Sequence, residues 1–231
     1  MKQIRSFLLI SSLALACGLS GPLRAVESDA TPTVTATDAA TQKHVDAKVD
    51  HLLGSIKFDD AGKAARAKSL LGGWIVTIWN WHKVNDPQLK ELWSKWNQAR
   101  AVVPKDEFPA EVIAHQIDDA YASLKPAYQT FIAQLSAELS PEQVDAIKEK
   151  WSRSPGRMRT YNVYLQMVPD LNDEQKKVIF DRMNQAREDA MLTDADREIV
   201  TIFKRHKVKV EAYIGTLEWA KLHAAFANKG K

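Results

Sequence analysis

The chain has a single cysteine, Cys17, in 231 residues. One thiol can build neither an internal disulfide framework nor a thiolate zinc site. Charge of one sign is also missing. Thirty-two Lys and Arg face 29 Asp and Glu, a net charge of +3. That balance excludes the clustered basic surface with which dedicated nucleic-acid binders neutralise phosphate, so no nucleic-acid partner is expected. There is no His-Glu-x-x-His, no phosphate-cradling glycine loop, no dinucleotide fingerprint and no Gly-x-Ser-x-Gly elbow. A zinc or nucleotide enzyme is therefore not indicated, and neither a metal nor a cofactor is expected. No segment shows the sustained alternation of a strand followed by a hairpin turn.

The N-terminus reads as an address. Lys2 and Arg5 precede an apolar run from Phe7 to Ala16, which is too short for a membrane anchor and fits a secretory signal. No transmembrane segment is expected. Cleavage after Ala25 releases a periplasmic or secreted protein. In the alternative, Ala14-Leu15-Ala16-Cys17 acts as a lipobox and Cys17 carries a lipid anchor. Residues 1–25 hold Lys2, Arg5 and Arg24 and no acid, so the chain beyond them has 29 basic and 29 acidic residues. The apparent basicity belongs to the address. Residues 26–42 are rich in Thr, Ala, Asp and Ser, with too little apolar surface to offset their own ordering, and read as a flexible leader.

Residues 43–231 read as one all-α domain, an irregular bundle of about seven helices. Apolar residues recur at helical spacing along Leu70 to His82, Ile113 to Leu139 and Ile199 to Leu217, as in helices that bury one face. Ser140-Pro141-Glu142-Gln143 and Asn172-Asp173-Glu174-Gln175 are capping boxes. Breaks are expected at Asp86-Pro87, from Pro104 to Pro109, at Ser154-Pro155-Gly156 and at Pro169. Lys125-Pro126 lies inside a strong stripe and predicts a kink.

Four groups could carry chemistry. His82 shares the inward stripe of Leu71 and Ile75, and Asp86 follows one turn later, where it can fix an imidazole tautomer or its cation. The alternative is a packed core histidine. Arg157 to Leu165 gathers Arg159, Tyr161, Asn162 and Tyr164, a mixture of donors and aromatic faces that suits an anion or a sugar, or simply an amphipathic helix with solvated phenols. Arg187 and Glu188 lie between the small residues Ala186 and Ala190. Either one faces inward with a partner, or both sit on a solvated face. Lys204, Arg205, Lys207 and Lys209 surround His206 as a local basic run, which could meet an acidic ligand or remain solvated. Trp74, Trp79, Trp81, Trp93 and Trp96 crowd one stretch. Indoles stack on sugar rings, and they also fill helical cores.

The run Thr160 to Leu165, then Pro169 to Lys176, then Ala186 to Met191, resembles a bacterial secreted family known only as a domain of unknown function. Some of its members carry a sugar-binding label. The similarity extends to His82 and Asp86, where the family has Ile-His-x-x-Arg-Asp, and to Phe203, Lys207, Lys209 and Tyr213. Here Asn85 replaces the family's Arg, His206 replaces a Tyr, and Glu211-Ala212 replaces an Asn pair. The resemblance implies an exported helical protein with a carbohydrate role and no established reaction.

Two functions compete. The first is a periplasmic protein that binds an oligosaccharide, with or without a lyase-like activity in which His82 or Tyr161 abstracts a proton and Asn162 and Arg159 stabilise the developing charge. Asp86, Tyr164, Arg187, Glu188 and Lys207 complete that candidate site, which requires His82, Tyr161 and Arg187 or Glu188 to share one pocket. The second is a non-enzymatic envelope chaperone or interaction module. A structural partner of an outer-membrane complex is favoured instead if Cys17 is lipidated.

Overall fold

The structure is a computed structural model that describes residues 39–101, 107–153 and 156–229. The expected signal, Cys17 and most of the leader lie outside the described residues. Among the described residues eight helices follow one another: α1 (Ala39–Leu53), α2 (Ala61–Ala101), α3 (Glu107–Ala122), α4 (Lys125–Glu138), α5 (Pro141–Trp151), α6 (Gly156–Met167), α7 (Asp173–Ala190) and α8 (Asp196–Lys229). The fold is all-α, and among the described residues there is no strand. None of their helices is long and apolar enough to cross a membrane.

Helix starts follow local chemistry. Ser140 and Asn172 each accept the N3 amide, and Gln143 and Gln175 reach back to the cap amides at 3.0 and 2.9 Å. Asp60 accepts the Gly62 amide at 2.7 Å at the entry to α2. Helix α1 begins at Ala39, so the expected boundary at 43 falls inside it. Ala39 and Ala40 are strong helix formers, and Gln42 bonds Asp46 one turn on at 2.9 Å.

Two prolines behave differently from expectation. Pro126 does not kink a continuous helix. It stands in the first turn of α4, where its missing N–H costs nothing, and α3 ends at Ala122. The stripe from Ile113 to Leu139 is therefore two helices packed on the same core. Conversely, Pro87 does not end α2 but lies inside it. Ile75 and Ile78 before it and Leu89, Leu92 and Trp96 after it are all buried. Asp86 meets His82 at 2.8 Å and Lys90 at 3.0 Å across the same turns. Packing on both sides of the proline outweighs its local cost.

Apolar side chains form two clusters. The larger joins α1 to α5 with the end of α7 and the start of α8, around Leu52, Leu71, Ile75, Ile78, Ile117, Leu135 and Ile147. The smaller joins α6, α7 and α8 around Tyr164, Ile179, Met183 and Val210, and Phe203 packs against both. Buried ion pairs tie the helices further. Arg205 binds Asp118 of α3 at 2.7 Å and Asp189 of α7 at 3.1 Å, while His206 meets Asp189 at 2.7 Å. Burial raises the Asp189 carboxyl, yet these partners hold it below the usual carboxylate range. Arg205 and His206 of the expected basic run are thus buried partners rather than a ligand surface.

Candidate functional site

Five residues, Met191 to Ala195, connect α7 to α8, and α2 and α5 grip them with side chains. The indole N–H of Trp74 donates to the Met191 carbonyl at 3.1 Å and that of Trp151 to the Thr193 carbonyl at 3.0 Å. Trp79 donates to the Asp194 carboxylate at 3.0 Å. Lys48 of α1 touches the same carboxylate and lies over the Trp151 ring, 4.3 Å from its centroid. Tryptophan crowding in α2 therefore serves partly as core, as one sequence reading had it, and partly as a set of donors aimed at one short loop.

Beside this loop opens a cleft of about 890 Å³. One wall is α2, from Ile78 through Trp79, His82, Asp86, Lys90, Trp93 and Asn97 to Ala101. The other runs from Thr193 to Thr201 and includes Asp194, Arg197 and Glu198. The α2 polar residues recur at intervals of three and four, which puts them on one helix face. They flank the buried stripe of Leu71, Ile75, Ile78, Leu89 and Trp96, so the cleft opens along the edge of the core.

His82 sits on this wall with a side chain 13% exposed. Its Nδ1 meets Asp86 at 2.8 Å and its Nε2 donates to the Leu192 carbonyl at 3.1 Å. Both partners are acceptors. A neutral ring can satisfy one of them, and only the doubly protonated ring satisfies both. The pairing with Asp86 matches the sequence reading. The bond from Nε2 to a loop 110 residues away does not follow from any local pattern. Asp86 gains from the arrangement: burial raises its carboxyl, but His82 and Lys90 hold it below its ordinary value.

Glu198, which sequence reasoning passed over, is the polar centre of the far wall. Its Oε1 accepts from Trp93 Nε1 at 2.9 Å and from the Tyr121 hydroxyl, and its Oε2 accepts from Thr193 at 2.6 Å. His82 Nε2 lies 4.0 Å from the same Oε2. Burial, and then Glu198, push the Tyr121 phenol well up, so Tyr121 is a fixed donor. The one sequence signal that pointed here was the α2 spacing itself, since Trp79, His82, Asp86, Lys90, Trp93 and Asn97 form a polar and aromatic stripe.

The remaining sequence candidates lie elsewhere. Tyr161 and Tyr164 share α6, where Tyr161 is half-buried with its ring edge-on to Phe180 at 5.3 Å. Tyr164 is buried, and its hydroxyl donates to Glu211 at 3.2 Å. Burial, and then Glu211, push that phenol up. Arg159 and Asn162 are exposed on the same helix. Arg187 does face inward and has partners: it binds Asp145 at 2.6 Å and Glu149 at 3.1 Å on α5. Glu188 accepts from Lys148 at 2.8 Å and from the Tyr128 hydroxyl at 2.5 Å. Lys207 is half-buried on α8. The cleft is lined by His82 and Asp86 of this set and by none of the others. The structure thus separates what the sequence reading had gathered into one pocket. The separation has a physical basis, because Tyr164 spends its hydroxyl on α8, Arg187 its guanidinium on α5, and Glu188 its carboxylate on α4 and α5.

A family described as "Protein of unknown function (DUF3826)" has a sequence profile that matches residues 42–231. Among curated proteins, none matches the chain.

Proposed function

The chain belongs to that family of unknown function, and from this premise we propose that it is an exported carbohydrate-binding protein whose ligand occupies the cleft between α2 and the start of α8. The observation that carries the reading is the make-up of the cleft. Two indoles, two amides, several hydroxyls and both signs of charge line about 890 Å³ of accessible space. Sugars present apolar ring faces edged with hydroxyls, so a site for them needs aromatic surface and mixed donors and acceptors together. Arg197 is exposed at the rim and has no side-chain partner among the described residues.

Binding fits the geometry better than proton abstraction. Both ring nitrogens of His82 are already turned to protein acceptors, Asp86 and the Leu192 carbonyl, and not to the open cleft. Tyr161 does not line the cleft. His82 instead holds the α7–α8 connection against α2 and so shapes the site. Export rests on Lys2, Arg5 and the apolar run that follows. Fractionation of expressing cells, with N-terminal sequencing, checks it: a chain that keeps Met1 and stays in the cytoplasm ends that part of the reading.

The binding proposal is tested by thermal-shift and calorimetric titration against neutral series (xylo-, cello- and manno-oligosaccharides) and acidic series (oligogalacturonates). At least one series should raise the melting temperature in proportion to concentration. Asn97→Ala together with Arg197→Ala, both exposed, should lower that affinity several-fold with the melting temperature of the free protein unchanged. Absence of binding across the panel, with capture of unfolded chains instead, transfers the assignment to an envelope chaperone.

A further inference from the structure

The α2 wall of the cleft is a line rather than a patch. Trp79 and Trp93 are 14 residues apart on one face, about 21 Å of helix at 1.5 Å per residue. His82, Asp86 and Lys90 lie between them at spacings of three and four. Both indole N–H groups are already spent inside the protein, on Asp194 at 3.0 Å and Glu198 at 2.9 Å. His44 lies 5.3 Å from the Trp79 ring and Arg205 5.9 Å from that of Trp93, so what the two rings offer a ligand is their remaining carbon surface, held in fixed orientation by carboxylates that are themselves anchored. Glu198 adds one further element. A carboxylate has about four lone-pair sites, and Trp93, Tyr121 and Thr193 fill three of them. The fourth is on Oε2, which lies 4.0 Å from His82 Nε2.

We propose that the cleft takes a linear oligosaccharide laid along α2, with Trp79 and Trp93 as two stacking platforms and the polar stretch between them reading hydroxyl groups. This rests on the carbohydrate reading above and adds the size and shape of the ligand: a chain of several sugar units spans both platforms, and a single ring meets only one. An extended polypeptide would be the other linear occupant. It is disfavoured because strand addition needs unpaired backbone on the receiving side, whereas α2 offers only side chains. A docked amphipathic helix needs an apolar groove, and the middle of this one is charged.

The experiment is calorimetric titration of the full chain with xylose through xylohexaose and with galacturonate through hexagalacturonate. Affinity should rise at least tenfold from the monosaccharide to the length that reaches both indoles and then level off. Trp79→Ala and Trp93→Ala should each cost the hexasaccharide tenfold or more. Trp93→Phe, which keeps a ring but leaves Glu198 short of a donor, should fall between wild type and Trp93→Ala. If the alanine variants do not fold, Lys90→Trp, at an exposed position between the platforms, should block the line and reduce hexasaccharide binding to the trisaccharide level. A monosaccharide that binds as tightly as the hexasaccharide overturns the proposal while leaving the carbohydrate reading intact. Wild-type hexasaccharide affinity in both tryptophan variants, or in Lys90→Trp, does the same. Binding of neither series at any length, with binding of an unfolded polypeptide such as reduced carboxymethylated lactalbumin, removes the carbohydrate reading itself.

Discussion

Burial pushes the Lys48 ammonium down to about 8, with Asp196 pulling the other way and Arg153 adding to the push. The unfolded chain keeps the ordinary value of 10.5. Between these two values the unfolded state binds a proton that the folded state has released, so stability from this group rises with pH across that window. Below about 8 both states are charged and the burial penalty is fully present. The unfolding free energy of the wild type minus that of Lys48→Met should therefore climb as pH goes from 8 to 10. Denaturant titrations at a series of pH values measure it, and a flat difference would show that the ammonium is not depressed. At this same scale the sequence foretold some contacts and not others. His82 and Asp86 are four apart on a helix, so their meeting needs only helix geometry. Glu198 is 105 residues from Trp93 and 77 from Tyr121, and no local rule brings those residues together.

Helix α2 shows how far tertiary contacts can override a local signal. The residue before a proline disfavours the helical region, and a proline inside a helix forfeits a hydrogen bond. The sequence therefore predicts an end at Asp86, yet α2 continues to Ala101. Pro87 is exposed, so replacing it removes no packing. Pro87→Ala should stabilise the protein by about 2 kcal/mol, a mid-helix gain of roughly 3 kcal/mol reduced by up to about 1 for the extra freedom of the unfolded chain. Chemical denaturation measures the change. Lost stability would mean instead that the cleft face of α2 depends on the proline. The capping boxes show the opposite case. Ser140 with Gln143, and Asn172 with Gln175, form as read because every atom involved lies within four residues. Lys125-Pro126 was legible as a perturbation but not as a boundary, since a kinked helix and two helices on one core share the same apolar spacing.

For the molecule as a whole, the all-α class was legible because helical periodicity repeats over most of the chain. The site was not, because its two walls come from residues about a hundred positions apart and its polar atoms are joined by long-range bonds. Charged residues near small ones, such as Arg187 and Glu188 beside Ala186 and Ala190, read equally as a ligand site or as buried ties, and the structure makes them ties to α5. Loops are ordinarily where a protein loosens first, since their backbone is solvated and weakly packed. The α7–α8 connection departs from that rule. The amides of Met191, Leu192 and Ala195 are bonded within the turn, and carbonyls of Met191, Leu192 and Thr193 are held by two indoles and His82. In a deuterium-exchange profile the amides of Met191, Leu192 and Ala195 should exchange as slowly as the interiors of α2 and α7. A fast-exchanging connection would mean that the clamp opens in the native state. Slow exchange has a consequence for how the protein tolerates change over generations. Insertions should be rejected at residues 191–195, so that a five-residue loop is constrained as a core helix is.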